Sequence, residues 1–301
     1  MSADSVLPSW RPGATRDAIT RFLAAARSVP REERVACFDN DGTLWCERPN
    51  YVQYEFFVDA LRRRAAADAS LGDRPEFAAV LGGDAAEIGA LGLDRVALAL
   101  AGLFEGLTPD AFAAEARSFM DTATHSLGRA MRTMVYRPML ELLDALRALD
   151  FTVAVSTGGG REFVRAVSET IYGTPAELVV GTGIDYDVVR DEGRVGLRRA
   201  ARIRGDVNEG AAKVTNIQSQ LGRRPILAAG NSAGDGEMLE WANRGPGPHL
   251  ALLVDHDDAT REYAYASRSE TLAESEAITT TATRRDWTIV SMANDWATVF
   301  A

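Results

Sequence analysis

Asp39 and Asp41 stand two residues apart in the run Val35-Ala36-Cys37-Phe38-Asp39-Asn40-Asp41-Gly42-Thr43. Two carboxylates that close repel each other unless a cation or a proton sits between them. Hard oxygen ligands suit a hard cation, so the pair predicts a Mg2+ site with one carboxylate left for nucleophilic chemistry. Asp-Gly and Asn-Asp are also ordinary turn formers after a strand, and the segment alone is open to that reading. Three further stretches carry chemistry. Thr157-Gly158-Gly159-Gly160 sets a hydroxyl before backbone N–H groups at a helix start, which suits an anion. Ser156 precedes it, and because side chains alternate across a strand only one of the two hydroxyls can face a site; adjacency to Gly158 selects Thr157. Lys213 falls in a predicted helix, where its charge would neutralise a phosphate and hold a nucleophilic carboxylate ionised. Asn231 and Asp235 lie four apart in Gly230-Asn231-Ser232-Ala233-Gly234-Asp235, a loop entering a helix.

These residues need a scaffold that brings distant segments together. The apolar run at residues 35–38, ended by Asp and Gly, reads as a buried parallel strand. Its carboxyl end is where open α/β sheets build ligand sites. Further strands are predicted at 151–157, 177–180, 225–229, 249–254 and 287–291. Helices are expected over 14–26, 138–148 and 161–172, from Asn208 as the cap through Leu221, and from near Asp235. Irregular alternation over 184–203 around Asp191-Glu192-Gly193 predicts a β-hairpin, and residues 267–284 read as a polar surface excursion. Residues 51–132 show only helical periodicities, such as Phe56, Phe57, Ala60 and Leu61, or Val96, Leu98, Leu100 and Leu103. Turn signals at Gly72-Asp73, Gly82-Gly83 and Thr108-Pro109 divide them. The expected fold is α/β: a Rossmann-like, doubly wound parallel sheet built from residues 1–45 and 137–301, with an all-helical cap inserted over 46–136 that closes as a lid on two linkers.

Four chemical segments in this order, each at a strand end or in the next helix, resemble the haloacid dehalogenase-like hydrolase superfamily, in particular its phosphoserine-phosphatase-like branch. The family's first motif, Asp-x-Asp-Gly-Thr, matches residues 39–43 without a gap. Its second, an apolar strand ending in Ser or Thr before Gly, matches 153–158. Its third, a lysine, is best matched by Lys213, and its fourth, usually Gly-Asp-x-x-x-Asp, by Gly230 through Asp235. The resemblance spans residues 30–255. It implies a Mg2+-dependent phosphatase in which Asp39 attacks phosphorus and forms an aspartyl-phosphate. Asp41 protonates the leaving oxygen and then activates water, while Thr157 and Lys213 stabilise the transferring group. Asp39, Asp41, Asn231 and Asp235 are the implied metal residues, with Asp235 holding a metal-bound water or orienting Lys213. In the fourth motif Asn231 replaces the first acid, so one negative ligand becomes neutral. Dehalogenases of the superfamily lack the second acid of the first motif, so Asp41 favours phosphoryl transfer. A phosphotransferase or phosphomutase would keep it, and a non-catalytic binding protein is the remaining alternative.

Composition bounds the partners. The 301 residues include 33 basic and 43 acidic side chains, a net charge of −10 that argues against nucleic-acid binding. A small phosphorylated metabolite is the expected substrate. No run reaches the length of a membrane span, residues 1–11 have no apolar leader core, and a cytoplasmic enzyme is expected. Only Cys37 and Cys46 occur, without metal-ligand spacing, and Cys37 is expected as a small buried strand residue. Glu47 and Arg48, just after the first motif, could meet substrate or sit in an exposed linker. Trp45 could wall the site, and His125 is expected to be structural or solvated.

Overall fold

The computed structural model of the protein describes residues 6–301 apart from Glu192, Glu270, Ala273 and Ser275. Expectations for residues 1–5, for the middle residue of the Asp191-Glu192-Gly193 turn and for part of the 267–284 excursion therefore lie outside the described residues. Strand β1 (Val35–Phe38) is buried at every position. Val35 and Cys37 pack into one hydrophobic cluster, and Ala36 and Phe38 into another on the opposite face. A strand with two apolar faces belongs at the middle of a sheet covered on both sides, and β1 lies there. The sheet has seven strands in the order β4-β3-β2-β1-β5-β6-β7. The others are β2 (Thr152–Gly160), β3 (Val179–Asp191), β4 (Arg194–Arg204), β5 (Leu227–Gly230), β6 (Leu250–Asp255) and β7 (Thr288–Ser291).

All neighbours run parallel except β3 and β4, which form the predicted antiparallel hairpin. The chain builds to one side of β1 through β2 and β3, then returns to its other side with β5. That reversal leaves a crevice at the carboxyl end of β1, the position where such sheets bind ligands. Helices α1 (Ala14–Ala25), α7 (Arg137–Arg147) and α8 (Arg161–Tyr172) pack on one face of the sheet. On the other face lie α9 (Ala211–Leu221), α10 (Gly236–Ala242) and α11 (Ile278–Arg284).

Over residues 46–136 the α-helices are α2 (Val52–Ala67), α3 (Pro75–Gly82), α4 (Ala85–Leu91), α5 (Leu93–Gly102) and α6 (Pro109–Thr122), and no strand intervenes. Local chemistry starts and stops them. The Thr108 hydroxyl accepts the Ala111 N–H at 3.1 Å with Pro109 at the first turn of α6, and the Asp84 carboxylate accepts two N–H groups at the start of α4. Their packing divides them. Phe56 in α2 and Phe112 and Phe119 in α6 join the same cluster as the sheet, and the Phe56 ring stacks on Phe163 of α8 at 5.1 Å. Val58, Leu61, Phe77, Val80, Val96 and Leu100 form a separate outer cluster. The hydrophobic core is thus continuous between the sheet and the inner inserted helices.

Three local expectations are corrected. Residues 176–178 form a 3-10 turn, and β3 starts only at Val179 and runs without a break into the hairpin. Gly158 to Gly160 extend β2 rather than ending it, since a bulge after Thr157 lets Gly160 pair with Thr182. Asn208 does not cap the helix before Lys213: α9 starts from Gly210, and the Asn208 amide donates to Ser156 Oγ and to the Thr157 carbonyl. Among the described residues no helix is long and apolar enough to cross a membrane.

Phe56 ties the inserted helices to the sheet, so Phe56→Ala should lower unfolding free energy by about 3–5 kcal/mol in denaturant titration. Truncating the exposed Leu98 of α5 should change it by no more than about 0.5 kcal/mol.

Candidate active site

Asp39 follows β1, and its N–H is held by the Ala229 carbonyl of β5 at 2.8 Å, so the backbone of the first motif is fixed by the strand beside it. Its Oδ1 accepts from Lys213 Nζ at 2.6 Å and its Oδ2 from Thr43 Oγ1 at 3.3 Å. Lys213, 2% exposed, extends from α9 across the sheet end. Its other two donors go to Asp235 Oδ1 at 2.5 Å and to the Ser156 carbonyl at 3.1 Å. Asp235 spends its second oxygen on the N–H groups of Asn231 and Ser232, at 3.0 and 3.1 Å. With Lys213 and two amides filling its carboxylate, Asp235 orients the lysine and shapes the fourth-motif loop.

Asp41 is half-buried and turned differently. Trp45 Nε1 donates to its Oδ1 at 2.8 Å, Asn40 Nδ2 to its Oδ2 at 3.3 Å, and Thr157 Oγ1 lies 3.5 Å from the same oxygen. Thr157 also accepts the Gly159 N–H at 3.0 Å. Ser156 is completely buried and faces Asn208, so alternation along β2 turns the Thr157 hydroxyl, and not that of Ser156, toward Asp41. Burial pushes the Asp41 carboxyl up, and the hydrogen bond from Trp45 opposes this.

Asn231 and Glu47 complete the crevice. The Asn231 amide nitrogen donates to Glu47 Oε1 at 3.1 Å and approaches Ser267 Oγ at 3.4 Å. Tyr265 donates to the same Glu47 oxygen at 2.8 Å. Gly42, at φ +72°, is wedged against this pair: a Cβ there would fall 2.0 Å from Asn231 Nδ2 and 2.9 Å from Glu47 Cδ. Both the backbone angle and the crowding therefore demand glycine. Under the loop, His256 sits 2.8 Å from the Gly42 carbonyl and 3.3 Å from Glu262 Oε2, whose other oxygen accepts from Tyr136 at 2.8 Å.

Charge is unevenly balanced. Lys213 is shared by Asp39 and Asp235, with Asp41 and Glu47 close by. Burial, then the Asp235 charge, drive the Asp39 carboxyl up against the pull of Lys213. Burial lowers Lys213 but is outweighed by the charges of Asp235 and Asp39, and the net shift is upward. The crevice is left with surplus buried negative charge of the kind a divalent cation compensates. Among the described residues no three His, Cys, Asp or Glu side chains are grouped to hold a metal. A cation would instead rest on the Asp39 carboxylate, the Asp41 main-chain carbonyl and the Asn231 amide oxygen, a hard-oxygen set that fits Mg2+.

The sequence matches the family model of haloacid dehalogenase-like hydrolases over residues 36–240, more than half of the chain. The protein belongs to this family. No curated protein sequence matches the chain. Among solved structures, a protein of unknown function from Bordetella pertussis Tohama I is similar at TM-score 0.54 and 17% identity, over 86% of this chain and 98% of that one. A conserved protein of unknown function from Anaerococcus prevotii DSM 20548 is similar at TM-score 0.51 and 12% identity, over 81% and 86%. A phosphoserine phosphatase captured as a phospho-aspartyl intermediate analogue aligns at TM-score 0.38 and 16% identity, over 74% and 86%. At these identities the first two solved structures speak for a shared fold.

All four motifs of this haloacid dehalogenase-like chain meet at one sheet end. Sequence reasoning missed Glu47 as a buried group, since nothing local separates it from an exposed linker charge; it is 7% exposed. It also missed Tyr265, His256 and Asn208, which come from loops whose role depends on the crossing of distant strands. Trp45 turned out to bond Asp41 directly. His125 is buried and contacts the Arg48 carbonyl at 2.6 Å, a structural placement. Cys37 is buried in β1, where desolvation pushes its thiol up to about 12.

Lys213→Met should cost about 3–5 kcal/mol of stability at neutral pH, because it leaves two buried carboxylates facing each other. The folded-state pKa of Lys213 lies above its ordinary 10.5. The stability it contributes is therefore fully present below that value and is lost as pH rises through the folded pKa. Denaturant titrations of both proteins should show the deficit narrowing above that ordinary value, and also at acid pH as the two carboxylates take up protons.

Proposed function

We propose that the protein is a Mg2+-dependent phosphatase that hydrolyses a small phosphomonoester through an aspartyl-phosphate on Asp39. One observation carries the reading: two carboxylates two residues apart have opposite environments. Asp39 is gripped by the Lys213 ammonium, which suits a nucleophile. Asp41 has no cationic side chain within salt-bridge distance among the described residues and is held instead by the neutral donors Trp45 and Asn40, which suits a group that carries a proton. The Asp39 carboxylate attacks phosphorus as the ester bond breaks, and the Asp41 proton passes to the leaving oxygen. Asp41, now a carboxylate, takes a proton from water, and that water attacks the aspartyl-phosphate, releasing phosphate and restoring Asp39. The Thr157 hydroxyl and the Lys213 ammonium stabilise the phosphoryl oxygens. Asp39, the Asp41 carbonyl and Asn231 would hold Mg2+, which would supply charge neutralisation at the phosphoryl group.

A net charge of −10 gives no attraction for polyanions, which supports a small phosphorylated metabolite over nucleic acid or phosphoprotein. Phosphoserine is the nearest analogue by family resemblance. Its ammonium would need a free carboxylate, and Glu47 is a poor choice because two donors already hold one of its oxygens.

Hydrolysis of a generic aryl phosphate should require Mg2+ and stop with EDTA. Asp39→Asn should reduce turnover to background even in excess metal, and Asp41→Asn should lower kcat by roughly 10²–10⁴-fold. Full activity in Asp39→Asn would sink the mechanism. A screen of several dozen phosphorylated metabolites, ranked by kcat/KM, identifies the substrate.

A further inference from the structure

We propose that Glu47 supplies, through the Asn231 amide, the negative charge that is missing from the fourth motif, where asparagine stands in place of aspartate. The inference rests on the phosphatase reading, because it takes a cation to bind against Asn231. Asn231 is 2% exposed and Glu47 7%. An amide nitrogen only donates and a carboxylate only accepts, so the 3.1 Å contact between Nδ2 and Glu47 Oε1 fixes which way the amide points. Flipped, it would set oxygen against oxygen. Glu47 and Ser267 take the nitrogen side of the group, which leaves Oδ1 as its donor to a cation.

Glu47 has the other marks of a charge held behind a ligand. Tyr265 fixes the same oxygen at 2.8 Å, and the Tyr265 ring is itself held by stacking on His256 at 4.4 Å and by the Arg48 guanidinium 4.4 Å from its centroid. Gly42 is pressed between the amide and the carboxylate, so the pair lies against the backbone of the first motif. Among the described residues no lysine, arginine or histidine makes an ion pair with Glu47. Arg48 and His256 are the nearby cationic groups and neither pairs with it directly, so this buried carboxylate still lacks a full counter-charge. A divalent cation on the far side of the Asn231 amide provides one, as carboxylates do when they polarise and orient metal ligands from behind. The aspartate of the usual motif would bring its own charge; here the charge sits one hydrogen bond further back.

The test titrates Mg2+ alone into wild type, Glu47→Gln and the double variant Asn231→Asp/Glu47→Gln by isothermal calorimetry, with circular dichroism confirming the fold of each. Glu47→Gln should weaken Mg2+ binding by about 10–100-fold. The double variant moves the carboxylate back to the motif position and should return to within about threefold of wild type, since charge count sets affinity in such sites. Wild-type affinity in folded Glu47→Gln, or a double variant that binds no better than it, overturns the inference. If Glu47→Gln does not fold, Glu47→Asp, which draws the carboxylate back from the amide, takes its place and must weaken Mg2+ binding; wild-type affinity in it overturns the inference. Aryl phosphate hydrolysis is followed in parallel. A wild type that binds Mg2+ but does not hydrolyse defeats the phosphatase reading and leaves this test intact. A wild type that binds no Mg2+ defeats the metal reading and this inference together.

Discussion

Everything at the sheet end hangs on one buried ammonium. Lys213 spends its three donors on Asp39, Asp235 and the carbonyl of Ser156, and so ties together the ends of β1, β2 and β5 from the helix that precedes β5 and lies far in sequence from the other two. A buried lysine is stable as a cation only if carboxylates meet it, and buried carboxylates that close need the lysine in turn. The arrangement is therefore self-enforcing. Asp235 can meet Lys213 only because two backbone N–H groups of its own loop hold its second oxygen, and that loop carries Asn231. The position of residue 231 follows from a contact made four residues away.

The same constraint separates the two acids of the first motif. Asp39 is drawn to Lys213, whereas Asp41 projects toward Trp45 and the end of β2. Side-chain alternation cannot do this alone, because residues two apart on a strand share a face. The separation is possible because the strand ends at Phe38 and the chain turns at once: the carbonyl of Asn40 accepts from the N–H groups of residues 43, 44 and 45 in a tight loop. Gly42 then takes the positive φ that the turn needs. The Asp-Gly pair is thus both the turn former and the site, and the two readings of that segment do not exclude each other.

How much of this was legible depended on range. Strand ends, the helical insertion and the hairpin follow from patterns of ten to twenty residues, and Lys213 and Thr157 could be selected because they sit at fixed offsets from glycine turns and strand ends. Asn208 looked like a helix cap because asparagine often is one. Its amide was instead drawn to the hydroxyl of Ser156 and the carbonyl of Thr157, groups more than fifty residues away that would otherwise be buried without a partner. Glu47 was illegible for the same reason. Its burial is created by Tyr265, Ser267 and Asn231, which arrive from the far side of the sheet, and a carboxylate after a turn looks solvated until they do.

The packing also limits how the site can open. A rigid rotation of residues 46–136 would pull Phe56 from Phe163 and break the bond from the Gly160 N–H to Gln53 Oε1, 2.7 Å long, which links the first inserted helix to the end of β2. Exposing one fully buried phenylalanine costs about 1.5–3 kcal/mol, which by itself holds such an open state to less than about 10% of the population. Phe112 and Phe119, packed edge-on against Phe56, would move with it and raise the cost. The helices α3, α4 and α5, which share a separate cluster with the outer face of α2, can shift without that penalty. Movement that admits substrate is therefore cheapest in this outer layer, while the inner helices stay part of the wall that keeps water from Asp39.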